Sequence, residues 1–408
     1  KNQFMLLFWA LFLAVFVGSV DISIGGPALD IIAAELGEQV LLPWFGAAYT
    51  ISEGVIPIIC GSFADIFGCK AVFIVSFVVF EIGSVVCGFA KSMRVLIVGR
   101  ALSGIGGSAI LPLACTFVSQ LAPHDAAAKY IAILGGAFGL GSITGSLIGG
   151  VLTSIWSWRL CFLINLPISL LVFGCMLPTT STVVPFVSMR EKLRKIDYFG
   201  IVLLLGFSLT LDIPLQLGGT VWMWDSVQVI SLFSLSAVLL SVFLVVQLRV
   251  VENPLIPKIV LSNKKVLVFA AISFMSSAAL YVITYYAPFY TEFVFEVTPM
   301  SASLISLNFT FGCITASLIS GWYFTKTGRF DVFFLIGPIL YSAQMVILTQ
   351  LNKELGVLYL CLGSIVGGFG LGLILQLRFS ALHSVVSKDM ISTSTGFISA
   401  SMGMGGCV

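Results

Sequence analysis

Five ionisable residues lie within long apolar stretches of the sequence, where charge is expensive. They are Asp21, Glu53, Glu81, Arg100 and Asp212. A charge at the centre of a bilayer costs at least about 2.5–3.5 kcal/mol unless it is paired or hydrated, so a charge kept there indicates a function. A carboxyl group in such surroundings can bind and release a proton near neutral pH. Glu53, near the middle of its stretch, is therefore a candidate proton carrier.

The composition shows that these stretches are in a membrane. Of the 408 residues, 59% are hydrophobic and 9% are charged, against about 25% charged in soluble domains. The mean hydropathy is +1.11. A soluble fold cannot bury this much apolar surface, and a disordered chain does not contain it. The nine cysteines form no C-x-x-C pair, so we expect neither a disulfide scaffold nor a metal site.

Apolar runs of about 20 residues predict transmembrane helices. The predicted spans 1 to 12 are residues 4–28, 43–63, 71–90, 93–116, 128–153, 159–179, 198–217, 227–248, 266–290, 301–324, 331–350 and 355–377. Span 13 begins near Met390 and is still running at Val408. We therefore expect an all-α, polytopic membrane protein.

Basic residues between the spans orient the chain, because cytoplasmic loops are enriched in Lys and Arg. With the amino end in the cytoplasm, 15 of the 20 Lys and Arg residues lie on the cytoplasmic side, 4 lie on the opposite side and Arg100 lies within a span. With this orientation and these span limits, Arg378 and His383 lie in a cytoplasmic loop. Asp212 lies near an outer helix end, where solvent explains its charge. The bias predicts a cytoplasmic amino end.

The sequence also resembles itself at a shift of 264 residues. Gly104-Ile105-Gly106 falls on Gly368-Phe369-Gly370, and Gly141 falls on Gly405. A shift of 260 aligns the glycines of the loop after span 2 with those after span 10. Equivalent loops share a membrane side, so the repeat predicts two parallel six-helix halves with spans 7 and 8 inserted between them.

This organisation predicts three regions. They are an amino-terminal six-helix bundle (1–180), a cytoplasmic linker with two inserted helices (181–255) and a carboxyl-terminal bundle (256–408). The 264-residue shift leaves the end of span 5 and all of span 6 without counterparts. We therefore expect the carboxyl end to be truncated within span 13.

The loop after span 2 carries a family motif. Residues 61–70, GSFADIFGCK, resemble the major facilitator signature G-x-L-x-D-x-x-G-R-K. The resemblance implies that Gly61, Asp65, Gly68 and Lys70 form a latch that breaks and re-forms during transport. Cys69 stands where the family has Arg.

Two further motifs lie in spans 4 and 5. Residues 99–106 resemble the span-4 arginine motif of that family. Gly141, Gly145, Gly149 and Gly150 match the antiporter motif G-x-x-x-G-P-x-x-G-G, with Ser146 in the Pro position. The motif implies a flexible seam between the halves, whereas the glycines alone are equally compatible with a plain helix-packing face.

Other matches point to one branch of the family. Residues 158–167 resemble the start of span 6, residues 21–29 the span-1 motif, and residues 368–376 the span-12 motif of the fourteen-span drug:proton antiporters. Fungal members of that family export drugs or move basic amino acids into vacuoles. In the resembled fold, spans 1 and 4 line a central cavity, so Asp21 and Arg100 would pair there, either as part of the transport site or as a locked structural pair.

The carboxyl half offers aromatic candidates for the same cavity. Tyr281 and Tyr285 share one face of span 9 at i, i+4 spacing. In the resembled fold this helix lines the cavity, where its rings would suit a cationic or amphipathic solute. Gln376 adds a polar contact. Interfacial anchoring is the alternative function of these tyrosines.

These observations predict a proton-coupled antiporter that exports or sequesters drugs or organic cations by alternating access. The alternatives are a vacuolar basic amino acid transporter and a transporter-like receptor or scaffold that moves no solute. We expect no enzyme activity, cofactor, metal or nucleic acid partner; a Walker-type phosphate loop is absent from the sequence. The expected partners are the solute, protons and the bilayer, for a monomer in the plasma or vacuolar membrane.

Overall fold

The computed structural model describes residues 2–122, 126–177, 188–219, 221–296, 299–349, 356–387 and 390–407. Almost all regular structure in these residues is helical, which confirms the predicted all-α class. Nine of the predicted spans are single helices. For spans 1, 3, 5, 7, 8, 9, 10, 11 and 13 these are, in order, Asn2–Ile24, Cys69–Gly88, Ala127–Ile155, Tyr198–Leu217, Val227–Arg249, Lys264–Phe295, Pro299–Thr327, Asp331–Thr349 and Ile391–Cys407.

The remaining four spans are each two helices that meet at a break. Spans 2, 4, 6 and 12 consist of Pro43–Glu53 with Ile56–Phe67, Met93–Gly107 with Ile110–Leu121, Trp158–Leu163 with Asn165–Met176, and Gly356–Leu375 with Leu377–Val385. In span 2 the break follows from Pro57, which has no amide hydrogen to donate to the carbonyl of Glu53 four residues earlier. The proline thus places Glu53 at a helix end inside the span.

Short helices connect the longer helices of the spans. They are Gly26–Ala28, Leu29–Leu36 and Gln39–Leu41 before span 2, Met189–Arg194 before span 7, and Lys258–Ser262 before span 9. Among the described residues, eleven helical segments are long and apolar enough to cross a membrane. These correspond to predicted spans 1–9, 11 and 12, while spans 10 and 13 are helices outside that set.

Close helix contacts repeat with the two shifts seen in the sequence. A Cβ added at Gly104 would lie 2.8 Å from the carbonyl oxygen of Tyr49, and one at Gly368 would lie 2.0 Å from that of Phe309. The glycines differ by 264 in number and their partners by 260. Spans 4 and 12 therefore pack on spans 2 and 10 in equivalent ways, as parallel repeats require.

Two contacts between the halves obey the same relation. Gly61 of span 2 lies against the carbonyl of Ser392 in span 13, and Gly321 of span 10 lies against the carbonyl of Ala128 in span 5, so the glycines differ by 260 in number and their partners by 264. Both contacts lie at the end of the bundle that carries the Asp65 loop, here named the Asp65 face. The two halves are in contact along both seams at this face.

Spans 7 and 8 form a hairpin whose base is tied together by one carboxylate. Asp197 accepts hydrogen bonds from the backbone N–H of Gly200 at 2.7 Å, from the side-chain amide of Gln247 and from the N–H of Leu255. Span 7 packs on span 2 and span 13. The hairpin thus lies against one seam between the halves, and the domain limits at 180 and 255 stay a prediction.

Candidate transport site and gates

Asp21 and Arg100 form a buried ion pair inside the amino half. Nη1 of Arg100 donates to Oδ2 of Asp21 at 2.8 Å, and the two side chains are 3% and 0% exposed. Asn165 of span 6 donates its side-chain N–H to Oδ1 of Asp21 at 3.0 Å. The pairing expected for spans 1 and 4 is therefore present, with Asn165 as an additional partner.

Aromatic rings surround the guanidinium of Arg100. Its central carbon lies 4.9 Å from the ring centre of Phe45, 4.7 Å from that of Tyr49 and 6.0 Å from that of Phe162. A cation over an aromatic face is stabilised by the negative charge of that face, and more strongly when water is excluded. The rings and Asp21 together hold the charge of Arg100 within the membrane layer.

Glu53 joins the two halves of the bundle. Tyr281 of span 9 donates its hydroxyl to Oε2 of Glu53 at 2.9 Å. A Cβ at Gly403 of span 13 would lie 2.3 Å from the carbonyl of Glu53, so the absence of a side chain at Gly403 allows this approach. Glu53 and Tyr281, which are separate candidates in the sequence, are thus in direct contact across the halves.

The other candidates of the carboxyl half are placed differently. Gln376 separates the two helices of span 12, and its side chain contacts Gly135 of span 5. The side chain of Tyr285 lies outside the described residues. Tyr286 is 69% exposed and Tyr290 is 38% exposed, which fits anchoring at the lipid surface for these two.

The Asp65 loop of the amino half contacts the carboxyl half. Oδ2 of Asp65 accepts hydrogen bonds from the backbone N–H and the hydroxyl of Thr393 in the first turn of span 13. A carboxylate at a helix N-terminus also interacts favourably with the helix dipole. Gly68 has φ +92°, a conformation that favours glycine. Lys70 donates to the carbonyl of Leu177 at 3.3 Å.

The glycines of span 5 do not form the predicted seam between the halves. Cβ atoms at Gly141, Gly145 and Gly149 would approach carbonyl oxygens of span 1 at 2.3–2.6 Å, and Gly150 has no neighbour within 4 Å. Span 1 belongs to the same half. The expectation of an inter-half seam at these residues was wrong, because their four-residue spacing keeps them on one helix face and span 1 covers that face.

Asp212 is buried, in contrast to the predicted solvent-exposed helix end. Asp212 is 1% exposed, and its Oδ2 accepts a hydrogen bond from the hydroxyl of Ser208 at 2.6 Å. Span 7 packs on span 2 and span 13, and this packing removes Asp212 from solvent. Glu81 has a hydrogen-bond partner within the amino half, since Ser169 of span 6 donates to its Oε1.

Arg378 and His383 lie in a buried helix rather than in a loop. Span 12 continues past Gln376 as Leu377–Val385, and Arg378 is 1% exposed. His383 contacts the hydroxyl of Ser119 in span 4 through Nδ1 and that of Thr395 in span 13 through Nε2. The 264-residue shift places Ser119 on His383, so the repeat contained a signal for this contact.

Together these features define a class of protein. Two parallel helical halves meet along two seams, the seams are closed at the Asp65 face, and buried charges lie beside the contact between the halves. This is the architecture of secondary membrane transporters. The chain belongs to the Major Facilitator Superfamily, which it matches over residues 11–408. It is a membrane transporter and not an enzyme.

Similar proteins include an efflux pump and a multidrug resistance protein. The chain is 28% identical to the efflux pump aflT of Aspergillus parasiticus over 404 residues, covering 96% of this chain and 77% of that protein. It is 29% identical to multidrug resistance protein 3 of Bacillus subtilis, covering 96% and 74%. It is 32% identical to the MFS-type transporter ungB of Aspergillus violaceofuscus, covering 91% and 69%.

Two solved structures share the fold at low sequence identity. The human organic anion transporter MFSD10 superposes with a TM-score of 0.68 at 15% identity, covering 99% of this chain and 91% of that one. The proton:xylose symporter XylE, bound to 6-bromo-6-deoxy-D-glucose, has a TM-score of 0.72 at 13% identity, covering 99% and 87%. The similarity extends over the described chain as a whole.

Proposed function

We propose that the protein is a proton-coupled antiporter of the fourteen-span drug:proton branch that exports or sequesters small organic solutes. The observation that carries this proposal is the hydrogen bond of 2.9 Å between Glu53 and Tyr281. It joins a membrane-embedded acid of one half to the other half. A change in the charge of Glu53 therefore acts directly on a contact that must break when the halves rock apart.

The proposed cycle uses the closed Asp65 face as one end state. In this state the opposite side is the side from which protons enter. Protonation of Glu53 removes its negative charge, so the hydroxyl of Tyr281 loses a charged acceptor and the contact between the halves weakens. Asp21 is the second candidate acid, and its protonation would release Arg100 from its partner at 2.8 Å. Opening of the Asp65 face then exposes the site to the solute.

The names of the relatives and the inserted hairpin support this proposal. The similar proteins are described as an efflux pump and a multidrug resistance protein. The hairpin of spans 7 and 8 is the feature that the fourteen-span branch adds to two six-helix halves. The charge bias of the loops favours a cytoplasmic amino end, and the plasma and vacuolar membranes are the two proposed locations for a monomer.

Transport in proteoliposomes under an imposed pH jump tests the proposal. Rhodamine 6G, a cation, and pyrenebutyrate, an acid, serve as the solutes, and their accumulation is followed by fluorescence. We expect Glu53→Gln or Asp21→Asn to abolish the response to the pH jump while solute counterflow without a gradient persists. Asp331→Asn, an exposed acid at the start of span 11, is the matched control and should transport normally.

Each outcome separates the alternatives. Full pH-driven transport in both Glu53→Gln and Asp21→Asn would show that the proton assignment is wrong. Uptake of arginine but not of rhodamine 6G by the wild-type protein would indicate a basic amino acid transporter. The absence of counterflow for every solute would support a receptor or scaffold.

A further inference from the structure

A second arginine is buried in the carboxyl half. Nη1 of Arg378 donates to the hydroxyl of Ser276 at 3.0 Å and to the carbonyl of Ser273 at 3.5 Å, and Nη2 contacts the sulfur of Met402 at 2.8 Å. The residue is 1% exposed. A guanidinium stays protonated in proteins, so this position holds a full positive charge.

No acid neutralises this charge in the part of the chain that the structure describes. Arg100 has Asp21 at 2.8 Å, whereas no described carboxylate lies within 4 Å of the Arg378 nitrogens. Nε of Arg378 has no hydrogen-bond partner among the described residues. An ion taken out of water loses several kcal/mol of solvation, which an ion pair offsets only with good geometry. The positive charge of Arg378 is therefore not compensated by any described carboxylate, and a bound anion would compensate it.

The fold itself does not require a charge at this position. The 264-residue shift places Arg378 on Ala114, which is fully buried in the amino half. The packing of Gly141 on Phe16 and of Gly405 on Phe274 relates spans 1 and 9 by a shift of 258. That shift places Ser273 and Ser276 on Val15 and Gly18, so the amino half has apolar or small residues where the carboxyl half is polar.

A hydroxyl group beside Arg378 adds a further donor. Ser273 of span 9, whose carbonyl accepts a hydrogen bond from Arg378, is buried, and its hydroxyl has no hydrogen-bond partner among the described residues. A guanidinium with a nearby hydroxyl donor and no described acid is the donor set that binds a carboxylate or a similar anion.

The position of Arg378 relates this donor set to the transport path. His383 lies five residues further along the same helix, about 7.5 Å away along the helix axis, and contacts Ser119 of the opposite half. Arg378 thus lies on a helix that closes the Asp65 face. Separation of the halves at this face opens the space beside it.

We propose that Arg378, with the hydroxyl of Ser273 in span 9, binds the anionic group of the transported solute. The substrate class is then organic acids that carry a carboxylate or an equivalent anion, in place of the organic cations that the sequence favoured. This inference rests on the proposed transport function, because alternating access is what opens the site.

Binding to the purified full chain in detergent tests the site without a gradient or transport. The probes are pyrenebutyrate and its neutral methyl ester, which share the same ring system, and binding is followed by fluorescence anisotropy. The wild type should bind the acid at least about tenfold more tightly than the ester, as expected for a charge-assisted hydrogen bond. Arg378→Gln should reduce this ratio to about one, while Arg378→Lys, which keeps the charge, should retain part of it.

Arg249→Gln, at the exposed end of span 8, is the matched control and should keep the wild-type ratio. Thermal unfolding of Arg378→Met separates binding from a structural function. Removal of an uncompensated buried charge should leave the melting temperature unchanged or raise it. A lowered melting temperature would instead indicate a structural cation and overturn the proposal.

Three other results would also overturn the site. They are equal affinity for acid and ester, an unchanged acid-to-ester affinity ratio in Arg378→Gln, and no binding of either probe at its solubility limit. Failure of the transport proposal has a different signature. In that case the acid preference and its dependence on Arg378 persist in detergent, and no solute shows counterflow in proteoliposomes.

Discussion

At the scale of single residues, the two buried arginines show how the same charge is used in two ways. Arg100 has the carboxylate of Asp21, which Asn165 also contacts, and three aromatic rings around it. Arg378 contacts serine oxygens, a thioether sulfur and the single ring of Phe379, and none of these carries a negative charge. The first arrangement satisfies the charge within the protein, and the second leaves it available to a ligand.

Glu35, outside the spans, provides a prediction on pH. Arg159 donates to its Oε1 at 2.7 Å and Trp158 to its Oε2 at 2.7 Å, and these hydrogen bonds, that of Arg159 first, lower the pKa of Glu35 below its ordinary value of 4.5. A lowered pKa in the folded state gives stability that is present above 4.5 and is lost as the pH falls through the folded-state pKa.

We therefore expect Glu35→Gln to flatten the fall in melting temperature on the acid side of pH 4.5. The effect should be below about 1 kcal/mol, because both side chains are partly exposed and water screens the pair. Thermal unfolding of the two proteins in detergent as a function of pH measures it. Arg159→Gln should flatten the same region, and an unchanged acid-side slope in both variants would contradict the assignment.

At the scale of helices, the span 1–span 5 contact depends on glycines that leave no room for a side chain. A Cβ at Gly149 would lie 2.3 Å from the carbonyl oxygen of Ile24, which belongs to a helix backbone and cannot rotate away. Gly150, the next residue, has nothing within 4 Å. Adjacent glycines of one helix thus offer a direct comparison.

Gly149→Ala should destabilise the protein by about 1–3 kcal/mol, because the added methyl group forces span 1 away from span 5. Gly150→Ala should be neutral or stabilising by up to about 1 kcal/mol, since alanine favours a helix over glycine. Thermal unfolding of both variants in the same detergent measures the difference. Equal melting temperatures for the two would show that the close contact with Ile24 does not determine helix packing here.

The helices and the Asp21–Arg100 pair were predictable because a charge inside a long apolar run is visible in the sequence. Arg378 and His383 were not, because the apolar run of span 12 ends near residue 377. These two residues lie within the bundle, where they contact side chains of other spans. Ser276 is 102 residues from Arg378, and Ser119 is 264 residues from His383. Hydropathy within a window cannot detect such partners. The same limit explains the burial of Asp212, since its helix packs on spans 2 and 13.

At the scale of the whole molecule, the repeat determines where the two halves touch. Ser119 and His383 occupy equivalent positions in the two halves, so their contact lies on the axis that relates them. The Asp65–Thr393 latch lies to one side of that axis. Opening of the Asp65 face therefore has to break the central contact as well as the latch.

A reversible cross-link at the axis tests this requirement. Ser119→Cys and His383→Cys are combined in a protein whose nine free cysteines have been replaced, and a short bifunctional methanethiosulfonate joins the two thiols. We expect cross-linking to stop solute counterflow completely and a reductant to restore it, because the halves cannot separate at the Asp65 face while they are joined. Ser119→Cys alone, treated in the same way, should transport normally. Full counterflow after quantitative cross-linking would mean that solute crosses the protein without opening this face, and the alternating-access cycle proposed above would be wrong.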